Sequence, residues 1–444
     1  MRNALMQWTY HRQVFLLAIP MVLSNITVPL LGLVDAAVIG HLSHAWFLGG
    51  VALGGTMINV TFWLLGFLRM ATTGIAAQRY GAEQPHKLAL IGLQGMMMAQ
   101  CLALILLLLH QPIASLIFHF SDASAEVKLY AEQYYAIRIY AAPAALANLV
   151  IMGWLLGCQN ARGPMWMVIV VNLLNIALDL LFVLGFGWQV RGAALASMGA
   201  DYCGLLLGGY FVYRQWHALK LPTLATIWPQ WRDNCSALLK LNRDIFLRSL
   251  CLQAVFSFVA FRGAAMGDEI VAANAVLMSF VMLVSYGMDG FAYAMEAMVG
   301  KAVGRRSRDD LAASLWVTGF WGVMVSLLLT VVFALAGSWI ISLVTSIETV
   351  QQQAQAYLPW LVAVPLVSLW CFLFDGVFVG ATRGKDMRNT MFIAMASFFA
   401  VWFSFASLGN HALWAAVLVF LGMRGLTLAI WFSYLWRKER FLPA

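Results

Sequence analysis

Twelve apolar runs, each close to the length a helix needs to cross a bilayer, follow one another along this chain with short polar breaks between them. At about 1.5 Å of rise per residue, roughly 20 mostly apolar residues span the hydrocarbon core. The runs fall near 14–37, 47–70, 88–110, 131–153, 164–187, 193–213, 245–266, 272–300, 312–336, 355–379, 391–408 and 411–435. The alternation with a period of two that a transmembrane barrel needs is missing. Hydrophobic residues make up 62% of the chain and charged residues 10%, with a mean hydropathy of +0.81. A soluble domain carries about a quarter charged residues. The expected fold class is all-α integral membrane, with twelve transmembrane helices.

The chain also repeats itself. Gly157-Cys158-Gln159-Asn160-Ala161-Arg162-Gly163 has a counterpart in Val379-Gly380-Ala381-Thr382-Arg383-Gly384-Lys385, and Gly163 to Gly384 is a shift of 221. Ala77-Gln78-Arg79-Tyr80-Gly81 recurs loosely as Gly300-Lys301-Ala302-Val303-Gly304, with Gly81 to Gly304 a shift of 223. Each copy is a polar hinge between apolar runs. The longest polar segment, 214–243, contains Pro222 and Pro229 and separates six spans from six. The expected organisation is an N-lobe at 1–213, a cytoplasmic linker at 214–243 and a C-lobe at 244–444. Two related halves are how many membrane transporters build a site.

Lys and Arg placement sets the expected orientation. With a cytoplasmic N-terminus, the outside connections hold only Lys128 and Arg191, while Arg2, Arg79, Lys87, Arg162, Arg305, Arg383 and Arg437 fall inside. Both termini are therefore expected in the cytoplasm. The same asymmetry accounts for the net charge of +8 as an insertion signal beside anionic lipid, without a nucleic-acid partner. The first run, Val14 to Val34, lacks a small-residue cleavage pattern and reads as a retained helix. Six scattered cysteines form no CxxC pair, and His41 and His44 have no neighbouring metal-ligand partner, so no metal or cofactor is expected. There is no Walker A loop either, so energy would come from an ion gradient. No nucleophile–base pair can be assembled, which argues against an enzyme.

The informative residues are those that are costly to place in lipid. A carboxylate at mid-bilayer costs about 2.5–3.5 kcal/mol on insertion scales and usually faces a polar interior. Span 5 carries Asn172, Asn175 and Asp179, spaced to share one helix face. Span 1 carries Asp35, together with Pro20, Ser24, Asn25, Thr27 and Pro29, a composition that permits a bend. If Asp35 and Asp179 face one cavity, burial and mutual repulsion both favour holding a proton. Asp201, on span 6, is a secondary candidate. In the second half, Asp289 and Glu296 on span 8 have Arg262 nearby in sequence, and Asp375 lies on span 10. Structural charge pairing competes there with an ion site.

The Val34-Asp35 element after a proline-containing first helix, the Gly157–Pro164 segment and Asn175-x-x-x-Asp179 resemble the multidrug and toxic compound extrusion (MATE) transporters. The resemblance covers essentially the whole chain. It implies two pseudo-twofold-related six-helix bundles in a V shape, in the bacterial inner membrane. It also implies antiport of amphipathic, often cationic compounds against protons or sodium. In similar proton-coupled members the roles of coupling carboxyls and hinge map onto Asp35, Asp179, Asn175 and Pro20, and Tyr135 on span 4 matches a tyrosine near that cavity. Sodium-coupled relatives carry acidic residues on helices 7 and 10; span 7 here has none, and Asp375 does not align cleanly. Protons are therefore preferred over sodium as the coupling ion. The 28 Phe, 18 Trp, 13 Tyr and 23 Met suit a compliant pocket for small organic cations, although most must face lipid or pack helices. A lipid-linked precursor flippase and a non-transporting scaffold remain as alternatives. Both halves lie in one chain, so a monomeric transport unit is expected.

Overall fold

A computed structural model describes residues 7–40, 42, 44–119 and 123–442; Arg2 and His41 lie outside them. Among the described residues there are twelve helices of membrane-crossing length and composition, and no strand. They are α1 (Trp8–Gly40), α2 (Trp46–Gly81), α3 (Pro85–His119), α4 (Ala125–Gly157), α5 (Arg162–Gly185) and α6 (Gln189–Ala218), followed by α7 (Cys235–Ala264), α8 (Asp268–Gly304), α9 (Arg308–Val344), α10 (Glu348–Gly380), α11 (Gly384–Leu408) and α12 (Asn410–Arg437).

Several helices outrun the apolar runs that announce them. The second run ends near residue 70, but α2 continues to Gly81 after a break in the helix at Leu65 and Gly66. Arg69, which resembles a membrane-edge residue in the sequence, is buried against the rest of the bundle. Arg138 likewise sits within α4, next to a 3₁₀ turn at Ile139–Ala141. In α5 the α-helix gives way to a π-helical segment at Leu180–Gly185, directly after Asp179. The expected linker is shorter than 214–243, because α6 runs to Ala218 and α7 starts at Cys235; a one-turn helix, Leu224–Ile227, lies between.

The internal repeat is written into the backbone. Glu83 and Arg306 both adopt positive φ (54° and 55°), as do Gln159 and Thr382 (63° and 55°), and each pair is 223 residues apart. Left-handed geometry is costly for residues with a Cβ, so its recurrence at matched positions marks equivalent turns. Helix packing repeats too. A Cβ placed on Gly153 would lie 2.4 Å from the Arg69 carbonyl oxygen of α2, and one on Gly376 would lie 2.7 Å from the Ala292 carbonyl oxygen of α8. Gly157 and Gly380, one turn further on, are equally confined. Small residues four apart let two membrane helices approach closely, and here they seat α4 on α2 and α10 on α8.

The chain divides into two compact units. One comprises Leu23–Cys235; the other comprises Met1–Val22 and Ser236–Ala444. The first division falls within α1, two residues beyond Pro20, and the second falls at the start of α7. In the first unit α4 packs on α2, α3 and α6; in the second, α10 packs on α8, α9 and α12. The two central helices correspond through the repeat.

Candidate functional site

In the unit Leu23–Cys235, the polar face expected on α5 meets the polar residues of α1. Asn172 Nδ2 donates to Thr27 Oγ1 at 2.6 Å, and Thr27 Oγ1 donates to the Ser24 carbonyl at 2.7 Å. Serine and threonine in a helix commonly bond back to a carbonyl one turn earlier in this way. One turn along α5, Asn175 Nδ2 donates to Ser197 Oγ of α6 at 3.2 Å. A further turn brings Asp179, only 2% exposed, to face the half-buried Asp35 in hydrogen-bonding contact. Oδ1 of each carboxyl is buried, and no N–H or O–H donor among the described residues reaches it.

Tyr134 closes this network from α4. Its hydroxyl engages Ser197, and its ring stands near both aspartates and Arg138. Beyond the two carboxyls, Val38 and Ile39 of α1, Phe47 of α2, Val183 of the π-helical segment and Val190 of α6 pack with Tyr134 in one apolar cluster. The carboxyl pair therefore lies at the boundary between a polar ladder and a greasy layer, where an unneutralised charge is costly.

Asp35, Asn172, Asn175 and Asp179 come together through these contacts. Asp201 is in the same unit but is occupied: Arg138 Nη1 lies 2.6 Å from its Oδ2, and its backbone carbonyl accepts from Asn148. Tyr135 points elsewhere, packing with Met57, Ile58 and Ile139, and its buried hydroxyl has no partner among the described residues. Tyr134, Ser197 and Arg138 were not named as site residues by sequence, and Thr27 was named only among the polar residues of span 1. A helical step of about 100° sends adjacent residues to different faces, and nothing in the pair Tyr134-Tyr135 says which faces α5. Arg138 had a signal, since an arginine opposite an intramembrane aspartate invites pairing. Pro20 lies in the other unit, within the unbroken helix α1.

In the unit containing α7–α12, Asp375 of α10 is held by two arginines. Arg248 of α7 and Arg424 of α12 both donate to its Oδ2, the latter at 2.7 Å. All three residues are buried. Asp289 lies close to Arg424 and Cys371 in the same charged cluster, and Glu296 is buried further along α8. Arg262, the expected partner of these α8 acids, has its guanidinium 5.2 Å from the Trp402 ring centroid. Arg424 stands in the apolar α12 much as Asp179 stands in α5, and that isolation is the signal by which sequence might have found it.

Twelve membrane helices in a duplicated arrangement, with carboxyls buried among them, define a secondary transporter. The MatE family matches residues 20–181 and 245–432, and the chain belongs to it. It is similar to DNA damage-inducible protein F of Escherichia coli (strain K12), with 46% identity over 96% of this chain and 93% of that one. Probable multidrug resistance protein NorM of Bacillus cereus is 23% identical over 93% of this chain and 91% of its own length. The fold is similar to that of MATE in the bent conformation, with a TM-score of 0.82 at 19% identity, covering 97% of this chain and 95% of that one. An outward-facing multidrug resistance MATE family transporter of the MOP superfamily gives a TM-score of 0.82 at 20% identity, covering 97% and 96%. Family membership makes this chain a multi-pass membrane transporter, not an enzyme.

Proposed function

We propose that this chain exports small amphipathic, often cationic organic compounds across the bacterial inner membrane in exchange for protons. The observation that carries the proposal is the contact between Asp35 and Asp179, each with a buried Oδ1 that no donor among the described residues reaches. Two ionised carboxyls in contact repel and leave acceptors unpaired, whereas a proton on one supplies the missing donor. A lipophilic cation satisfies the same pair by charge. Proton and cation thus compete for one pair of carboxyls, and such competition is what antiport requires.

The named relatives agree on the broad class. One is called a probable multidrug resistance protein, and one solved neighbour a multidrug resistance transporter. Protons are favoured over sodium because Asp375, an acidic residue inside the second unit, is already neutralised by Arg248 and Arg424. In the cycle we propose, protons enter from outside, neutralise the pair and displace the compound, while α1 bends at Pro20. Deprotonation towards the cytoplasm restores the site. One proton in for one monovalent cation out moves no net charge, so the pH gradient drives the exchange, at about 1.4 kcal/mol per pH unit. The reading also places both termini in the cytoplasm, takes 1–213 and 244–444 as two lobes, and takes a single chain as the transport unit.

The test is efflux of a fluorescent lipophilic cation from proteoliposomes, with pH and sodium gradients imposed separately. Efflux driven by the pH gradient and lost in Asp179→Asn is expected. Efflux that follows sodium alone would overturn the coupling, and no efflux under either gradient would point to a different cargo such as a lipid-linked precursor.

A further inference from the structure

A cavity of about 570 Å³ opens in the unit Leu23–Cys235, between the start of α4 and the start of α6. Val190 belongs both to its wall and to the apolar cluster beside Asp35 and Asp179, and Tyr130, also on the wall, packs against that cluster. Tyr130 is about one turn of α4 before Tyr134, whose ring stands near both carboxyls. Sites for drug-sized molecules run from about 300 to 1,000 Å³, and the cavity falls within that range. With both termini in the cytoplasm, as proposed above, this is the outer face, and the cavity is a vestibule on the way out from the carboxyl pair.

Most of the lining suits an organic cation. Tyr130 and Trp188 offer ring faces, and Gln133 and Gln189 offer amide carbonyls. Arg191 opposes them. It is the one charged residue in the described lining, it is exposed, and no carboxylate among the described residues pairs with it. Neither the fold nor membrane insertion calls for an arginine there. At the shift of 221 that relates Gly163 to Gly384, Gln189 at the start of α6 corresponds to Asn410 at the start of α12, and Arg191 to the buried Ala412. The equivalent turn of the second unit therefore forms without it. A basic residue in an outside connection also runs against the positive-inside bias, and Arg191 and Lys128 are the two that do so.

We propose that Arg191 is an electrostatic valve, which keeps an exported organic cation from lodging in the outer vestibule and returning to Asp35 and Asp179. The inference rests on the export reading above. A bulky cation must occupy the cavity beside the guanidinium before it reaches the carboxyls. A proton need not, because it is handed between hydrogen-bonding groups and never fills the cavity as a lodged charge. The repulsion therefore bears on the compound more than on the coupling proton.

Efflux of ethidium from proteoliposomes is followed under whichever ion gradient drives it, with benzyltrimethylammonium, a slowly permeant monovalent cation, added outside as competitor. Its half-inhibitory concentration is expected to fall about fivefold in Arg191→Gln, the effect of one unit charge about 8 Å away at an effective dielectric constant of about 40. Arg191→Glu should lower it about 25-fold, and Arg191→Lys should leave it unchanged. The differences should shrink at about 1 M salt, where the screening length is about 3 Å. Efflux without competitor is expected to persist through the series, which separates the valve from misfolding. Lys128→Gln, off the lining, should leave inhibition as in the wild type. An equal shift from Lys128→Gln would assign the effect to surface charge at large and overturn the valve, as would an unchanged half-inhibitory concentration across the Arg191 series. No wild-type efflux of ethidium under either gradient would sink the export reading itself, and the valve with it.

Discussion

Asn172 of α5 donates a 2.6 Å hydrogen bond to Thr27 of α1, about two turns from the Asp35–Asp179 contact on the same two helices. This bond sets the register in which the two carboxyls meet. Thr27→Val and Asn172→Ala are each expected to lower the thermal midpoint of the purified protein. A double-mutant cycle should give a coupling of about 0.6 kcal/mol, the usual size for such bonds in membranes. Zero coupling would show that the bond does not hold the helices together.

Adjacent tyrosines on α4 provide a paired test. Tyr134 engages Ser197 next to the carboxyls, whereas the Tyr135 hydroxyl is buried without a partner among the described residues. Tyr134→Phe is expected to impair proton-driven dye efflux by about tenfold, equivalent to losing one useful hydrogen bond. Tyr135→Phe removes an unsatisfied group and should leave efflux intact with equal or greater stability. Equal effects of the two variants on efflux would contradict the placement of the site.

The Arg248–Asp375–Arg424 cluster is expected to act as structure. Asp375→Ala strands two buried guanidiniums and should cost about 3–5 kcal/mol, visible as a large fall in thermal midpoint. Arg248→Met/Asp375→Leu/Arg424→Met replaces the whole cluster by apolar volume and should recover much of that loss. Sodium should not raise the thermal midpoint of the wild type; a sodium-specific rise lost in Asp375→Ala would assign the carboxyl to an ion site.

Close helix packing at the repeated glycines predicts a sharp contrast. Gly376→Val drives side-chain atoms into the backbone of α8 and should destabilise by about 1–3 kcal/mol or more. Gly319→Ala on α9 meets nothing within 4 Å and should stabilise by about 0.5–1 kcal/mol. Thermal unfolding of both variants in one detergent is the check.

What the sequence revealed, and what it hid, follows from the physics of each signal. The twelve spans were legible because lipid imposes a strong length and polarity rule. Their ends were less so, since Arg69 stands where an apolar run ends without ending the helix. The Asn172–Asp179 ladder was legible because helical spacing alone puts its members on one face. Partners on other helices were not: Ser197, Arg248 and Arg424 are brought to their acceptors by tertiary packing, which a single helix's periodicity does not encode. The internal repeat was visible in a few glycines, and it reappears more fully in the matched turns at Glu83 and Arg306, and at Gln159 and Thr382.

Competition between a proton and a cationic compound at Asp35 and Asp179 is tested most directly by counting protons during binding. Weakly buffered, purified protein is mixed with a lipophilic cation and the pH is followed. Binding to the wild type is expected to release about one proton, by reciprocal linkage, and binding to Asp179→Asn to release none. Tight binding by the wild type with no proton released would contradict the exchange at this pair.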